Sequence, residues 1–246
     1  MLKEYCRFFL KKNYKLYIFL IKIKKILKRF FKPKIIYLIF RKKEPLSDLY
    51  GLDRGQAIDR YYIENFLKNN QNLIQGECLE ILNNEYTKKY GQNKVIKSDI
   101  LDIDQNNKKA NIHGDLKNLN NILDNIYDCI ILTQVLQFID DYEKAISECR
   151  RILKKDGVLL TTVPSISRID CVAGESGDFW RFTKAGIRYS FLRYFRDNEV
   201  EISSLGNCLI GMNFWIGSSQ EELSKKELDY HDPNFPCVIT VKAIKK

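Results

Sequence analysis

The sequence predicts an α/β protein whose mostly parallel sheet carries helices on both faces, preceded by an N-terminal helical extension. From about residue 58 onward, short apolar runs alternate with segments of helical periodicity. One run, Tyr127 to Leu132, is apolar at most successive positions, as expected for a parallel strand covered on both faces. Lysine and arginine concentrate before residue 46, where this alternation has not yet begun.

The positive charge of the chain belongs to this extension. Residues 1–45 hold 15 Lys or Arg against Glu4 and Glu44, which gives +13, so residues 46–246 carry −3 of the net +10. The larger part therefore has no general attraction for polyanions, and nucleic acid is not an expected partner. Pro45 and the turn-rich Ser47-Asp48 divide the chain into an extension, 1–45, and a domain, 46–246.

The extension contains a basic amphipathic helix that ends near Pro33. Its apolar residues fall on one helical face and its cations on the other. The longest apolar stretches, Leu16 to Ile21 and Ile35 to Phe40, have six residues each, far fewer than the roughly 20 needed to cross a bilayer. An anionic membrane surface matches both faces, and packing against the domain or a second subunit is the alternative. The apolar face comprises Leu16, Phe19, Leu20, Ile23, Ile26, Leu27 and Phe30.

The domain begins with a helix over Asp59 to Lys68, and a second helix is expected over Asp141 to Leu153. A turn at Lys155-Asp156-Gly157 leads into the fifth strand. Strands that alternate with helices imply a parallel sheet. The seven expected strands are Glu77 to Ile81, Lys94 to Lys97, Ala110 to Ile112, Tyr127 to Leu132, Val158 to Val163, Glu199 to Ser203 and Val238 to Ala243.

The seven cysteines form no C-x-x-C pair, and only His113 and His231 could assist them as metal ligands. Neither a disulfide framework nor a metal site is expected. Several cysteines stand in apolar runs, as Cys129 does, where a reduced cysteine behaves as a small core residue. These features predict a cytoplasmic location, with attachment to the inner face of the membrane through the extension.

Acidic and polar residues follow the predicted strands, where ligands of open α/β sheets bind. Glu80 ends the first strand, and the second is expected to end near Asp99, with Asp102 and Asp104 as competing acids. Asp115 follows the third, and Thr133-Gln134 follow the fourth. No glycine-rich turn follows the first strand, which argues against a dinucleotide. Asn83 or Asn84 is expected to adopt the left-handed conformation that a tight turn requires there.

These segments, in this order, resemble the class I S-adenosylmethionine-dependent methyltransferases. Arg151 to Gly157 is similar to their most recognisable segment, usually written R-x-L-K-P-G-G. Four further segments resemble a bacterial subgroup associated with glycosyltransferases and cell-surface sugar synthesis: Gly51 to Gly55, Ile58 to Glu64, Trp180 to Thr183, and Gly206-Asn207.

The resemblance implies a Rossmann-like seven-stranded domain with S-adenosylmethionine as its cofactor. Carboxylates can accept hydrogen bonds from the ribose hydroxyls and the adenine amino group, while acidic or amide groups can hold the ammonium. The expected cofactor-binding residues are Glu80, Asn83, Asp99, Asp115, Leu116, Thr133 and Gln134.

The subgroup resemblance implies that the methyl acceptor is a hydroxyl of a sugar or glycan. Trp180, Arg181 and Tyr61 are the expected substrate-binding residues, and His231 and Asp178 are candidate bases. Two other interpretations stay open at this stage. One is a catalytically silent protein of the same fold that binds a membrane surface, and the other is an RNA methyltransferase that uses the basic extension.

Overall fold

A computed structural model describes residues 14–31 and 43–246. The seven strands are β1 (Gly76–Ile81), β2 (Val95–Asp102), β3 (Ile112–His113), β4 (Tyr127–Thr133), β5 (Leu153–Pro164), β6 (Val200–Leu205) and β7 (Val238–Ile244). The helices are α1 (Tyr14–Phe31), α2 (Ile58–Asn69), α3 (Tyr142–Ile152), α4 (Gly174–Gly177), α5 (Lys184–Phe191), α6 (Cys208–Ile216) and α7 (Lys225–Asp229). Short helical turns lie at Thr87–Gly91, Gln92–Lys94, Leu136–Phe138, Asp197–Glu199 and Gln220–Glu222.

The strands form one sheet in the order β3-β2-β1-β4-β5-β7-β6. β1 to β5 are parallel to one another, and β7 runs antiparallel between β5 and β6. The predicted Rossmann-like α/β fold with a seven-stranded, mostly parallel sheet is therefore confirmed. The strand order reverses beside β1, where β2 lies on one side and β4 on the other, which is the position at which such sheets bind ligands.

Side chains alternate between two apolar layers because successive strand residues point to opposite faces. On one face, Leu79 and Ile130 join the buried core that includes residues of α3 and α5. On the other, Cys78 and Cys129 pack with Ile63 of α2. Both faces are thus covered by helices, as the apolar fourth strand predicted. The six described cysteines are free.

Two strand boundaries differ from the prediction by more than two residues. β2 continues to Asp102, whereas the sequence interpretation ended this strand near Asp99. β5 begins at Leu153, so the expected turn at Lys155 to Gly157 lies within it as a local bend, with a left-handed backbone at Asp156 (φ 64°). Asp141 caps α3 by accepting the Lys144 N–H at 3.2 Å, which explains why this helix starts as predicted.

α1 rests on the domain through its cations. Lys25 Nζ donates to the Gly55 carbonyl at 2.8 Å, Lys28 pairs with Asp53, and Arg29 lies 3.7 Å from a Glu221 oxygen. The α1 outer face, defined here by Phe19, Ile26 and Phe30, is exposed, whereas Leu20 and Leu27 are partly exposed and line a cleft with Leu46 and Arg54 of the domain. Within residues 14–31 and 43–246, no helix has the length and apolar character needed to cross a membrane. The apolar run from Ile35 to Phe40 lies outside the described residues.

Candidate functional site

The carboxyl ends of β1, β2, β4 and β5 meet at one edge of the sheet. The register pairs Ile81 with Leu101, and Thr133 with Thr162. The loops that follow these strands are therefore neighbours, although they are far apart in the sequence. This edge is where the predicted cofactor residues were expected to converge.

Glu80, near the end of β1, is buried and holds the loop that follows. Its two carboxylate oxygens accept the backbone N–H groups of Tyr86 at 3.2 Å and Thr87 at 2.8 Å. Burial raises the pKa of Glu80 above its usual range, although these backbone hydrogen bonds oppose the shift. Glu80 thus shapes the turn between β1 and the following helical turn, which positions the backbone on which a ligand would rest.

The tight turn after β1 forms at Leu82, which has a φ of 69°. The prediction of a left-handed residue at Asn83 or Asn84 is wrong, since neither has a positive φ. Their side chains stabilise the turn instead: Asn83 Oδ1 accepts the Glu85 N–H, and Asn84 Nδ2 donates to Ser98 Oγ, both at 3.0 Å. Leu82 is 56% exposed, so an apolar side chain stands at the end of β1.

Asp99 lies inside β2 rather than at its end. Its carboxylate accepts hydrogen bonds from Lys97 Nζ (2.8 Å), Asn111 Nδ2 (2.7 Å) and the Tyr127 hydroxyl (2.9 Å). Burial opposes ionisation, yet these donors lower the pKa of Asp99. Asp99 therefore connects β2 to Asn111, just before β3, and to Tyr127 of β4. The acid at the carboxyl end of β2 is Asp102, which the sequence interpretation kept as a competitor of Asp99 because it placed the end of the strand three residues earlier.

Asp102 is buried beside the end of β1. One carboxylate oxygen accepts the Asp104 N–H at 2.9 Å, and the other accepts Asn107 Nδ2 at 2.7 Å. Asn107 Nδ2 also donates to the Leu82 carbonyl at 2.8 Å, so one amide joins the loops after β1 and β2. A carboxylate oxygen can accept more than one hydrogen bond, which leaves Asp102 with capacity for hydroxyl donors.

The loop after β3 places Asp115 and Leu116 at the same edge. Asp115 Oδ1 accepts the Lys117 N–H at 2.9 Å, and its Oδ2 lies 3.6 Å from Lys117 Nζ. Leu116 is buried in the core cluster of β4 and α3. Nδ1 of His113, at the end of β3, is buried and makes no hydrogen bond.

Polar atoms without partners lie after β4. Gln134 has a left-handed backbone (φ 53°), and its Nε2 is a buried donor with no hydrogen bond. Gln137 Nε2 donates to the Gln134 carbonyl at 3.0 Å, which leaves the buried Gln137 Oε1 as an acceptor with no hydrogen bond. Thr133, half-buried, pairs with Thr162 of β5. An unpartnered buried donor and acceptor are costly unless a ligand or water completes them.

The first turn of α2 contributes a further unpartnered acid. Asp59 Oδ1 is buried and makes no hydrogen bond, and burial raises the pKa of Asp59. The adjacent Arg60 donates to the Tyr86 hydroxyl at 2.6 Å and lies over the Tyr86 ring. Because Tyr86 also donates its N–H to Glu80, α2 is joined to the loop after β1. The sequence interpretation assigned Asp59 only to a helix, because a sequence does not show that one of its carboxylate oxygens lacks a partner.

These atoms fit the polar groups of S-adenosylmethionine. Asp102 can accept from the ribose hydroxyls and Asp115 from the adenine amino group. Asp59 Oδ1 can accept from the ammonium, while Gln134 Nε2 can donate to the carboxylate of the aminoacyl group. The set combines buried, unpartnered atoms with acids at strand ends, a pattern of donors and acceptors that S-adenosylmethionine would complete.

Beyond β5 lies a groove of about 610 Å³, here called the β5 groove, whose lining includes Ser165, Ser167, Arg168, Phe179, Arg181 and Trp215. Arg181 closes one wall: its Nη1 and Nη2 donate to the two oxygens of Asp178 at 2.6 and 2.8 Å, and its Nε donates to the Ser167 carbonyl at 3.1 Å. Trp180 lies at the neighbouring loop, where its Nε1 donates to the Ile139 carbonyl at 2.9 Å.

Tyr61 and His231 are brought together elsewhere. Both line a cavity between α2, β6 and β7, which shares no lining residue with the β5 groove. The Tyr61 hydroxyl donates to Asp229 Oδ1 at 2.5 Å, and His231 Nδ1 accepts the Gly206 N–H at 3.2 Å. The structure therefore separates these two residues from Trp180 and Arg181, with which the sequence interpretation grouped them. Among the described residues, no group of three or more His, Cys, Asp or Glu could hold a metal ion.

Comparisons with known proteins agree with this geometry. Residues 77–161 match the profile of the methyltransferase domain family. The fold is similar to that of an S-adenosylmethionine-dependent methyltransferase from Archaeoglobus fulgidus, with a TM-score of 0.52 and 15% identity, over 76% of this chain and 94% of that chain. It is also similar to one from Mesorhizobium loti, with a TM-score of 0.51 and 11% identity, over 77% and 98% of the two chains. No curated protein matches the sequence.

The solved structures establish the fold, and the matched domain spans β1, β2, β3, β4 and most of β5, which is the part of the sheet that holds the unpartnered polar atoms. Residues 77–161 therefore form a methyltransferase domain, and S-adenosylmethionine is its cofactor.

Proposed function

We propose that this methyltransferase transfers the methyl group of S-adenosylmethionine to a hydroxyl of a sugar or glycan. The observation that carries the proposal is the β5 groove, which opens next to the cofactor edge of the sheet. It combines the hydroxyls of Ser165 and Ser167 with the half-exposed rings of Phe179 and Trp215. Hydroxyls and guanidinium groups can bond the polar rim of a sugar, and aromatic rings can cover its apolar side.

S-adenosylmethionine supplies an electrophilic methyl group on a sulfonium. Asp102 and Asp115 would hold the nucleoside, while Asp59 and Gln134 would orient the aminoacyl end. Glu80 keeps the backbone after β1 in place through Tyr86 and Thr87. Transfer to a hydroxyl then depends chiefly on holding the acceptor oxygen in line with the methyl group.

A hydroxyl acceptor also needs a proton acceptor, and the structure distinguishes the two candidates. Asp178 borders the β5 groove, but Arg181 and the Asp170 N–H bond its carboxylate and, despite burial, lower its pKa. His231 lies in the other cavity. Asp178 is thus better placed to fix the groove wall than to take a proton, and we propose that solvent receives the proton.

The extension is proposed to hold the enzyme on an anionic membrane surface. Lys25, Lys28 and Arg29 are directed to the domain, so the exposed side of α1 is its apolar one, where Phe30 is 76% exposed. Each large apolar side chain gains about 1.5 to 3 kcal/mol when it is fully buried. Lys22 and Lys24 are exposed beside this face and can meet anionic head groups, at about 1 kcal/mol each.

Methyl transfer is tested with isotope-labelled S-adenosylmethionine and separated glycan, RNA and protein fractions. We expect label in the glycan fraction, and much less label there when Asp102→Ala replaces the wild type at a low S-adenosylmethionine concentration. Label confined to RNA would instead support the RNA methyltransferase interpretation, and would contradict the proposed acceptor.

Membrane attachment is tested by co-sedimentation with vesicles of anionic phospholipid. Phe30→Glu should release the protein, whereas Leu123→Glu makes the same kind of change at a side chain exposed on the domain and should not. Equal binding by both variants would show that the α1 outer face does not contact lipid.

A further inference from the structure

A second cavity lies against α6 and continues the β5 groove. It measures about 330 Å³, and its walls include Ile166, Gly211, Met212, Trp215 and Phe235. We call it the α6 cavity. Ile166 and Trp215 line both spaces, so the β5 groove and the α6 cavity adjoin at these two side chains.

The α6 cavity has little to offer a polar ligand. Asn207 is the amide side chain in its wall, and both of its amide hydrogens are used: Nδ2 donates to the Glu227 carbonyl at 2.9 Å and to the Tyr230 carbonyl at 2.8 Å. Asn207 Oδ1 accepts the Ile210 N–H as the cap of α6. Because these bonds hold the amide in the fold, the cavity favours hydrocarbon.

Among residues 14–31 and 43–246, no apolar side chain covers the outer side of α6. The helix contains no charged residue, and Ile210 and Phe214 on its inner side are buried. On its outer side, Met212 is 51% exposed and Trp215 is 53% exposed. A helix that is apolar on every side is normally buried, and exposed apolar surface next to a groove marks a binding site.

We propose that the α6 cavity binds the hydrocarbon chain of an amphiphilic methyl acceptor whose sugar head group lies in the β5 groove. This deepens the proposed function and rests on it for the role of the β5 groove. The volume is within the range of small-molecule sites. The Leu46 N–H bonds the Ile216 carbonyl at the end of α6, and the Leu46 side chain also borders a cleft beneath α1. Leu46 therefore connects the cavity to the helix proposed to lie on the membrane, from which such an acceptor would come.

Trp215 provides a local reporter of occupancy. The chain has two tryptophans, so Trp180→Phe in the full-length protein leaves Trp215 as the sole indole. This variant is titrated with octyl, decyl and dodecyl β-glucosides below their micelle concentrations, and with glucose. We expect a saturable blue shift of Trp215 emission whose dissociation constant falls up to about fourfold for each added methylene that is buried. Glucose alone should cause no shift.

Two matched variants test whether the hydrocarbon chain of the glucoside binds in the α6 cavity. Met212→Gln places an amide in the cavity wall and should weaken dodecyl glucoside binding at least tenfold. Leu209→Gln makes a similar change on the same helix, outside the cavity lining, and should not. The proposal is overturned if the emission does not shift, if affinity is independent of chain length, or if Leu209→Gln weakens binding equally. Should the variants fail to fold by circular dichroism, the chain-length series in the parent still decides the question. Methylation is not the readout, so failure of sugar methylation and failure of hydrocarbon binding are distinguishable.

Discussion

Asp102 and Asp99 offer a direct test of how the cofactor edge works. Both are buried acids of β2, three residues apart, but only Asp102 stands at the carboxyl end of the strand. We expect Asp102→Ala to weaken S-adenosylhomocysteine binding and Asp99→Ala to weaken the fold. The two substitutions remove the same chemical group, so they control for each other.

The magnitudes follow from the hydrogen bonds. A carboxylate that accepts ribose hydroxyls contributes about 1.5 to 3 kcal/mol, so Asp102→Ala should raise the dissociation constant about tenfold to a hundredfold or slightly more. Asp99→Ala leaves the buried Tyr127 hydroxyl and the Asn111 amide without their acceptor. That loss should cost about 1 to 3 kcal/mol of unfolding free energy, or roughly 2 to 12 °C in Tm for a protein of this size.

Isothermal titration calorimetry with S-adenosylhomocysteine at pH 7 measures the affinities, and thermal unfolding monitored by circular dichroism measures the stabilities. The reasoning is refuted if Asp102→Ala binds with wild-type affinity, or if Asp99→Ala, checked to be folded at the titration temperature, loses affinity to the same extent.

Three further predictions concern the turn after β1, the buried pair of Arg54 and Glu222, and the wall of the β5 groove. Leu82→Gly removes a leucine held in the left-handed conformation, which costs about 1 to 2 kcal/mol, but glycine adds an entropy cost of about 0.5 to 1 kcal/mol. We therefore expect the free energy of unfolding to change little and the affinity for S-adenosylhomocysteine to rise. A fall in affinity would show that the leucine contacts the cofactor. Arg54→Ala removes a guanidinium that is 1% exposed and donates to both carboxylate oxygens of Glu222, at 2.6 and 3.0 Å. Urea unfolding should show that the free energy of unfolding falls by about 3 to 5 kcal/mol. A fall of less than about 1 kcal/mol would contradict a buried ion pair. Burial favours protonation of Asp178, but the hydrogen bonds from Arg181 hold its pKa below the usual 3.8. The stabilisation from this pair is complete above about pH 4 and is lost as the pH falls through the folded-state pKa, so Arg181→Gln should flatten the acid limb of the stability curve. An unchanged acid limb would contradict the pair.

The sheet could be predicted because its strands are marked by local apolar patterns in the sequence. The run at Cys129 to Leu132 is apolar on both faces, and α3 repeats its apolar residues at helical spacing after the Asp141 cap. The end of β2 could not be predicted in this way. Ser98 and Asp99 interrupt the apolar pattern, and the pairing of Leu101 with Ile81 of β1 and with Ile112 of β3 shows that the strand continues.

The candidate site was predicted in part for the same reason. Asp115 and Gln134 follow their strands in the sequence, so their place at the sheet edge is a consequence of topology. The left-handed turn was assigned to asparagine because asparagine tolerates that conformation, whereas the structure places it at Leu82. Glu80 fixes the next loop by accepting two N–H groups, which requires the chain to leave the strand at Leu82. Tertiary hydrogen bonds thus overrode the local preference.

The sequence by itself determined the strand and helix alternation, the concentration of basic charge in the extension, and the acids that follow strands, because these depend on residue type and spacing along the chain. Only the tertiary structure decided which polar atoms lack partners. The carboxylates of Asp99 and Asp59 look equivalent in the sequence, yet the first has three donors and the second has an oxygen with none. Hydrogen-bond satisfaction depends on groups brought together from distant segments, so it exists only once the chain has folded.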